Sequence, residues 1–300
     1  MHIFTRFKKD VKITAEMDKK ELLNLSHKYA LKYNPEGSAL RRDQKELLRM
    51  LQVVEQICRE HDIRWWLSSG TLLGAARHKG FIPWDDDMDI VLLKEDYKKL
   101  EKILCNMESD EFVFHCMKTD VEYVNVFGKF RKKHGNIHTG SRRYKYYKWT
   151  GIGLDIFAIE KTNAFSAYVS KFLYQEIQHL TSYIKAGWLR RPLIRTIEIV
   201  HFHIVNPLLR LVGKLNPKGE YHYVLGTGWP AHTFYMKDTF PLTETEFEGL
   251  MMPVPKDMDA YLANVYGDWR TPPSDEQIIR SIHCTEYIEE IKEISKPYGQ

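Results

Sequence analysis

Apolar residues recur at helical spacing over residues 40–60, where Leu40, Leu47, Leu51, Val54 and Cys58 share one face. That pattern predicts a first helix with this face buried. Residues 63–68 are aromatic and alternate, as a strand does, and residues 72–78 read as a short helix closed by Gly80. Residues 88–93 end in Ile90-Val91-Leu92-Leu93, an apolar run that suits a core strand. A helix over 96–107 follows, then strands over 112–117, 123–131 and 152–159, then helices over 164–187 and 192–215. From Glu220 onward, short strands mix with helices over 257–266 and 285–295. The order predicts an α/β (α+β) fold: a mixed sheet flanked by helices, with a helical insertion and a C-terminal lobe. Residues 1–39 are polar and end in the turn-rich Asn34-Pro35-Glu36-Gly37-Ser38, an N-terminal arm. The expected divisions are therefore 1–39, a core over 40–162, an insertion over 163–219 and a lobe over 220–300.

The stretch 192–215 is the most apolar, yet Arg195, Glu198, His201, Arg210 and Lys214 interrupt it and Pro207 would kink it. A bilayer-spanning helix needs about 20 mostly apolar residues. Leu193, Ile197, Val200, Ile204, Leu208, Leu211 and Leu215 instead fall at helical spacing. Such a stripe is expected to pack on the core. The competing reading is a basic amphipathic helix lying on the inner membrane face, and Trp188-Leu189-Arg190-Arg191 just before it keeps that reading alive.

Composition adds limits. Three hundred residues, 43% of them hydrophobic, can bury a sizeable core. A formal net charge of +4 points to no polyanionic partner, and nucleic acid is not expected. Cys58, Cys105, Cys116 and Cys284 show neither a CxxC nor a zinc spacing, and residues 1–20 carry no apolar signal-type run. A cytoplasmic location fits both.

The chemistry concentrates in Asp85-Asp86-Asp87-Met88-Asp89. On a strand, Asp87 and Asp89 project side by side. Two adjacent carboxylates repel unless a cation lies between them, and oxygen ligands select Mg²⁺ or Mn²⁺. An EF-hand is a poor fit, because its sixth position wants glycine and here holds Ile90. Asp85 and Asp86 either ligate through water or cap the loop. Just upstream, Ser69-Gly70-Thr71 joins the aromatic strand to a helix start. Free backbone N–H groups there can hold a phosphate. Arg77, on that helix, is the better anion ligand, with His78 supporting the loop. Asp155 sits in an apolar strand, facing away from Ile152, Leu154 and Ile156. Its burial costs free energy unless it is paired or metal-bound. Lys129 and Arg131, two apart on the preceding strand, could clamp a transferring phosphoryl group. Aromatic residues crowd the region: Trp65, Trp66, Trp84 and the run from Tyr144 to Trp149. They suit a core or, for a quaternary ammonium group, a cage.

The stretch GTLLGAARHKGFIPWDDDMDIVL, from Gly70 to Leu92, resembles the signature of the LicD family. The upstream helix to Leu67, the segment GLDIFAIE around Asp155, and the stretch FEGLMMPVPKDMDAYLANVYGDWRTPP with His283 beyond it resemble the family's other motifs. The resemblance thus runs from residue 40 to about residue 285. It implies a nucleotidyltransferase-like mixed sheet with Asp87, Asp89 and Asp155 as its acid trio. Asp155 would complete the metal shell or act as base on the acceptor. It also places a lysine at Lys129 and a threonine near Thr139, and makes Glu248, Asp268 and His283 supporting or acceptor-side residues. The implied reaction is transfer of a phospho-alcohol (phosphocholine, or glycerol or ribitol phosphate) from a CDP-alcohol donor to a hydroxyl of a glycan or lipid-linked glycan, releasing CMP. Ala158 and Glu160 depart from the family's usual proline and aspartate. Three alternatives share these features: a nucleotidyltransferase releasing pyrophosphate, a DxD-type glycosyltransferase using a sugar nucleotide, and a non-catalytic nucleotide-binding module.

Overall fold

A computed structural model describes residues 27–137, 141–229, 232–282, 284 and 287–290. The N-terminal arm up to residue 26 and most of the last expected helix lie outside the described residues, as do Thr139 and His283.

Helix α1 spans Ala39–Glu60 and starts where Ser38 accepts a hydrogen bond from the Arg41 N–H, 3.1 Å. Its buried face holds Leu40, Leu47, Leu51, Val54 and Cys58, as the periodicity predicts, together with Gln44 and Met50. Strand β1 (Trp65–Leu67), helix α2 (Ser69–His78), strand β2 (Asp89–Leu93) and helix α3 (Lys94–Cys105) follow. Strands β3 (Phe112–His115), β4 (Gly128–Lys132) and β5 (Gly153–Lys161) complete the central part. The main sheet has six strands, in the order β1-β2-β5-β4-β3. Only β2 and β5 run parallel; β6 (Tyr221–Tyr223) pairs antiparallel with the far end of β5, beyond β4. Helix α1 packs on β5, and α3 packs on β2, β3 and β5. Ile90, Val91 and Leu92 are all buried, the signature of a strand covered on both faces. At Gly128 a Cβ would come within 2.1 Å of the Phe114 ring, so this β4 position admits only glycine without a shift of that ring.

The expected strand over 123–131 forms only as β4. Upstream, the Asp120 carboxylate accepts from the Glu122 N–H, 2.9 Å, and the Asp120 carbonyl from the Tyr123 N–H, 3.1 Å. That turn takes the chain out of the ladder.

The insertion is a helical hairpin. Helix α4 (Ala164–Lys171) passes through a π-helical turn (Phe172–Glu176) into α5 (Ile177–Thr181). Helix α6 (Gly187–Val200) passes through a second one (His201–Val205) into α7 (Asn206–Gly213). The second turn widens the helix just before Pro207, so the chain continues where a kink is expected. The apolar stripe does not pack on the core. Leu193, Val200, Ile204, Leu208, Leu211 and Leu215 are all exposed, and the buried residues of α6 and α7 are Arg190, Ile194, Glu198, Asn206 and Gly213. Polar groups occupy the inner side because they meet polar partners there. Arg190 makes a forked contact with buried Glu122, 2.8 and 2.9 Å, and Ser170 donates to Asn206, 2.9 Å. No helix among the described residues is long and apolar enough to cross a membrane.

The C-terminal part holds helix α8 (Met236–Thr239), the hairpin β7 (Thr243–Phe247) and β8 (Leu250–Val254), helix α9 (Met258–Tyr266) and helix α10 (Asp275–Ser281). It packs onto β1 and α2.

These two kinds of apolar position predict opposite outcomes. Leu47→Ala should cost roughly 2–5 kcal/mol in denaturant unfolding. Leu208→Ala, at a side chain 59% exposed, should stay within about 0.5 kcal/mol of wild type.

Candidate active site

The ladder registers set the site. Asp89 on β2 pairs directly with Asp155 on β5, and Asp155 pairs directly with Lys129 on β4. Directly paired residues project from the same face, so a lysine and two carboxylates form one row across three strands. Lys129 Nζ lies 2.6 Å from Asp155 Oδ1. Burial pushes the Asp155 carboxyl up to about 6 even though Lys129 opposes the shift; Asp87 adds to the rise. Burial also raises Asp89, reinforced by the charges of Asp155, Asp87 and Asp85. Four carboxylates therefore share one field.

The acidic loop supplies two of them, Asp85 and Asp87. Among the described residues, the acids whose oxygens all lie within 4.8 Å of one another are Asp85, Asp86 and Asp87. This grouping differs from the expected trio of Asp87, Asp89 and Asp155, and it brings Asp85 and Asp86, for which the sequence allows either a water-mediated ligand or a loop cap, beside Asp87. The loop is held from both sides. Buried Gln44 of α1 donates to the carbonyls of Asp85, 2.9 Å, and Ile82, 3.3 Å. Asp86 accepts from the Cys284 N–H of the C-terminal part, 2.9 Å. The donor set is all carboxylate oxygen, and this suits Mg²⁺ or Mn²⁺.

The turn before α2 faces the same loop. A Cβ on Gly70 would meet Asp85 Oδ2 at 2.5 Å, so the glycine lets a carboxylate approach the helix start. Ser69 has φ +48, a left-handed conformation that costs free energy for a side-chain-bearing residue. Thr71 is not simply a phosphate ligand: its hydroxyl accepts from the Asp89 N–H, 2.8 Å, and fixes the start of β2. Tyr261 lies 3.1 Å from the Ser68 hydroxyl and Tyr223 3.5 Å from that of Ser69. These tyrosines come from distant sequence and carry no motif of their own.

The expected cations separate by role. Lys129 touches the acids. Arg131 is buried and donates to the Tyr144 hydroxyl and the Gly151 carbonyl, both 2.7 Å. Arg77 is buried, its pKa lowered to about 10 by burial, and its Nε has no hydrogen-bond partner among the described residues. Such a donor suits an anion. His78 is held neutral by burial, near 3, and its ring meets that of Trp84 at 6.1 Å.

Trp65, Trp66 and Trp84 are buried in the core and form no cage. A different aromatic group flanks Asp155. Phe157, two residues on, lies 4.4 Å from Phe127, 5.2 Å from Tyr223 and 5.5 Å from Trp229. Trp229 is 47% exposed. Glu248 braces the loop before the acids: it pairs with Arg41, 2.6 Å, and accepts from the Phe81 N–H, 3.1 Å. Asp268 accepts from the Thr271 hydroxyl within its own turn.

The family model for the LicD/FKTN/FKRP nucleotidyltransferase domain matches residues 62–192. That interval holds Asp85, Asp86, Asp87, Asp89 and Asp155 together with Arg77, Lys129 and Arg131. This part of the chain is a LicD-family nucleotidyltransferase domain. An uncharacterized protein of Rickettsia prowazekii is 35% identical over 125 residues, covering 35% of this chain and 46% of the relative. The lipopolysaccharide cholinephosphotransferase LicD of Haemophilus influenzae is 43% identical over 60 residues, 20% of this chain and 23% of that one. Human ribitol 5-phosphate transferase FKRP is 49% identical over 41 residues, 14% of this chain and 8% of that one. The chain thus spans less than half the length of these curated relatives.

The raised Asp155 makes a prediction with a definite sign. A carboxyl whose folded pKa, about 6, exceeds its unfolded value stabilises the fold at low pH, and that contribution is lost as pH rises through 6. His78 and His201, lowered to about 3 and about 4, act in the opposite sense. The informative quantity is therefore a difference. In EDTA, Asp155→Asn should gain stability relative to wild type between about pH 4 and pH 7. Mn²⁺ should shrink the gain. A pH-independent difference in melting temperature would remove the account of repelling acids.

Proposed function

We propose that the protein transfers a phospho-alcohol from a CDP-activated donor to a hydroxyl of a cell-surface glycan or its lipid-linked precursor, releasing CMP. The observation that carries this reading is the Lys129–Asp155–Asp89 row beside the Asp85–Asp86–Asp87 group and the glycine-bearing start of α2. Mg²⁺ or Mn²⁺, held by Asp87 and Asp89 with Asp85 and Asp86 at hand, would neutralise the donor pyrophosphate. The Gly70 and Thr71 backbone amides and the Arg77 side chain hold phosphate oxygens. Asp155, kept partly ionised by Lys129, accepts the proton of the acceptor hydroxyl. The acceptor oxygen bonds to the distal phosphorus, the phosphorus–oxygen bond to CMP breaks, and a phosphodiester remains. Lys129 then faces the growing negative charge of the transferred group. Arg131 holds Tyr144 and the strand beside it, so its contribution is to the shape of the site.

The alcohol end of the donor meets the rings of Phe127, Phe157, Tyr223 and Trp229. Aromatic faces favour a quaternary ammonium ion over a polyol. Phosphocholine is therefore the first substrate to try, with glycerol and ribitol phosphates next.

Two measurements test this. A thermal-shift panel with Mg²⁺ and CDP-choline, CDP-glycerol, CDP-ribitol, UDP-sugars and nucleoside triphosphates should show metal-dependent stabilisation by one CDP-alcohol. At 100 times the dissociation constant the gain is about 2.7 kcal/mol. Asp87→Asn should keep the fold and lose roughly 100-fold or more in CMP release. Stabilisation by triphosphates with pyrophosphate as product, or by UDP-sugars alone, would replace the reading with another transferase. Undiminished turnover in Asp87→Asn would remove the acids from the chemistry.

A further inference from the structure

We infer that the helical hairpin of residues 164–215 docks on the surface of an anionic lipid bilayer. Its polarity is inverted relative to a helix pair packed on a core. On the inner side, Ser170 lies 3.1 Å from His201 Nε2 and donates to Asn206, whose amide donates to the Leu225 carbonyl, 3.3 Å. Arg190 grips Glu122 on the same side. On the outer side, Phe165, Tyr168 and Phe172 recur at helical spacing on one rod, and Ile204, Leu208 and Leu211 on the other, all exposed. Trp188, at the start of α6, is 81% exposed. The rod from Ala164 to Thr181 is about 27 Å long at helical rise. An exposed apolar face of that length marks an interaction surface.

Charge selects the occupant. Residues 164–215 carry seven Lys and Arg against two Glu, a formal +5, whereas the whole chain carries +4. The remainder is therefore −1, and positive charge is concentrated on this one unit. Of the two acids, Glu198 is buried and pairs with Arg195, 2.7 Å. Lys185 and Lys214 are exposed on the hairpin, and Lys161 and Lys218 are exposed just beyond its two ends. A second copy of the chain would bring +5 against +5 across an apolar seam, which opposes pairing. Anionic headgroups satisfy the lysines while acyl chains receive the aromatic and aliphatic side chains. Trp188 and the tyrosines suit the headgroup level, where one end of a ring is apolar and the other wet.

The test is co-sedimentation of the full chain with vesicles of phosphatidylethanolamine and phosphatidylglycerol, against vesicles of phosphatidylcholine alone. Binding to the anionic vesicles should be at least about tenfold stronger and should weaken with salt. The variant F172S/L208S/L211S should keep the wild-type melting temperature and lose about tenfold or more of the binding. K185Q/K214Q/K218Q should lose the preference for anionic lipid and retain the fold. The inference is overturned if wild type does not sediment with either vesicle, or if the serine variant binds as well as wild type. It is also overturned if the serine variant dissociates a dimer that binds no vesicles. Lipid binding is read without turnover, so it is separable from the transfer reaction proposed above.

Discussion

Parallel pairing of β2 with β5 sets Asp89 beside Asp155, and the repulsion between these two carboxylates is the constraint around which the site is arranged. A buried charge without a partner is among the most destabilising features a fold can hold. The surroundings answer it in kind. Lys129 arrives from the other side of β5 in direct register, so the cation is placed by the same ladder that places the acids. Thr71 pins the Asp89 amide, and Met88 accepts from the Asp155 amide, 2.8 Å. Neither carboxylate can relax by moving its strand without breaking these bonds. Lys129 alone does not neutralise four acids, and proton affinity at Asp155 and Asp89 stays raised. A folded chain that keeps such a field in place is preorganised for a divalent cation.

Much of this is legible in the residues because strand geometry is periodic. An acid that interrupts an apolar strand, as Asp155 does, has few structural explanations, and the i, i+2 spacing of Asp87 and Asp89 speaks directly of a shared side. The helical face of α1 is readable for the same reason. What escapes is whatever depends on the path of a loop. Asp85, Asp86 and Asp87 come together because Gln44 and the Cys284 amide shape the turn from 41 and 198 residues away. Tyr223 and Tyr261 approach the Ser68–Ser69 turn from the C-terminal part with no local pattern to announce them. Arg131 and Lys129 look equivalent on a strand, yet only the end-on lysine reaches the acids; the guanidinium fork is engaged by Tyr144 and Gly151.

The helical hairpin shows a different limit. Its 3.6-residue period is plain, but periodicity reports that one side is apolar and leaves open what lies against it. The polar side carries the decisive information. Ser166, Ser170, Gln178 and Asn206 share a stripe with Arg190 and Glu198, and in the fold they all turn inward. Buried polar groups are tolerated only when hydrogen-bonded, so a polar stripe with this many mutual partners can be the inner one.

Glu160 joins the hairpin to the chemistry. It occupies the end of β5, five residues after Asp155, and it is buried. Its carboxylate pairs with Lys94 at the start of α3 and with Arg210 of α7, 2.9 Å, and accepts from the Leu225 N–H, 3.1 Å. Those partners hold its proton affinity below the ordinary glutamate range despite burial. The glutamate side chain reaches three elements at once: the start of α3 directly after the strand that carries Asp89, helix α7 of the hairpin and the chain leaving β6. A surface engaged by the hairpin is thereby fixed at a set height relative to the row of acids. Substituting this residue would loosen the hairpin from the sheet before it touched the chemistry, because nothing in its contacts reaches Asp155 except through the strand itself.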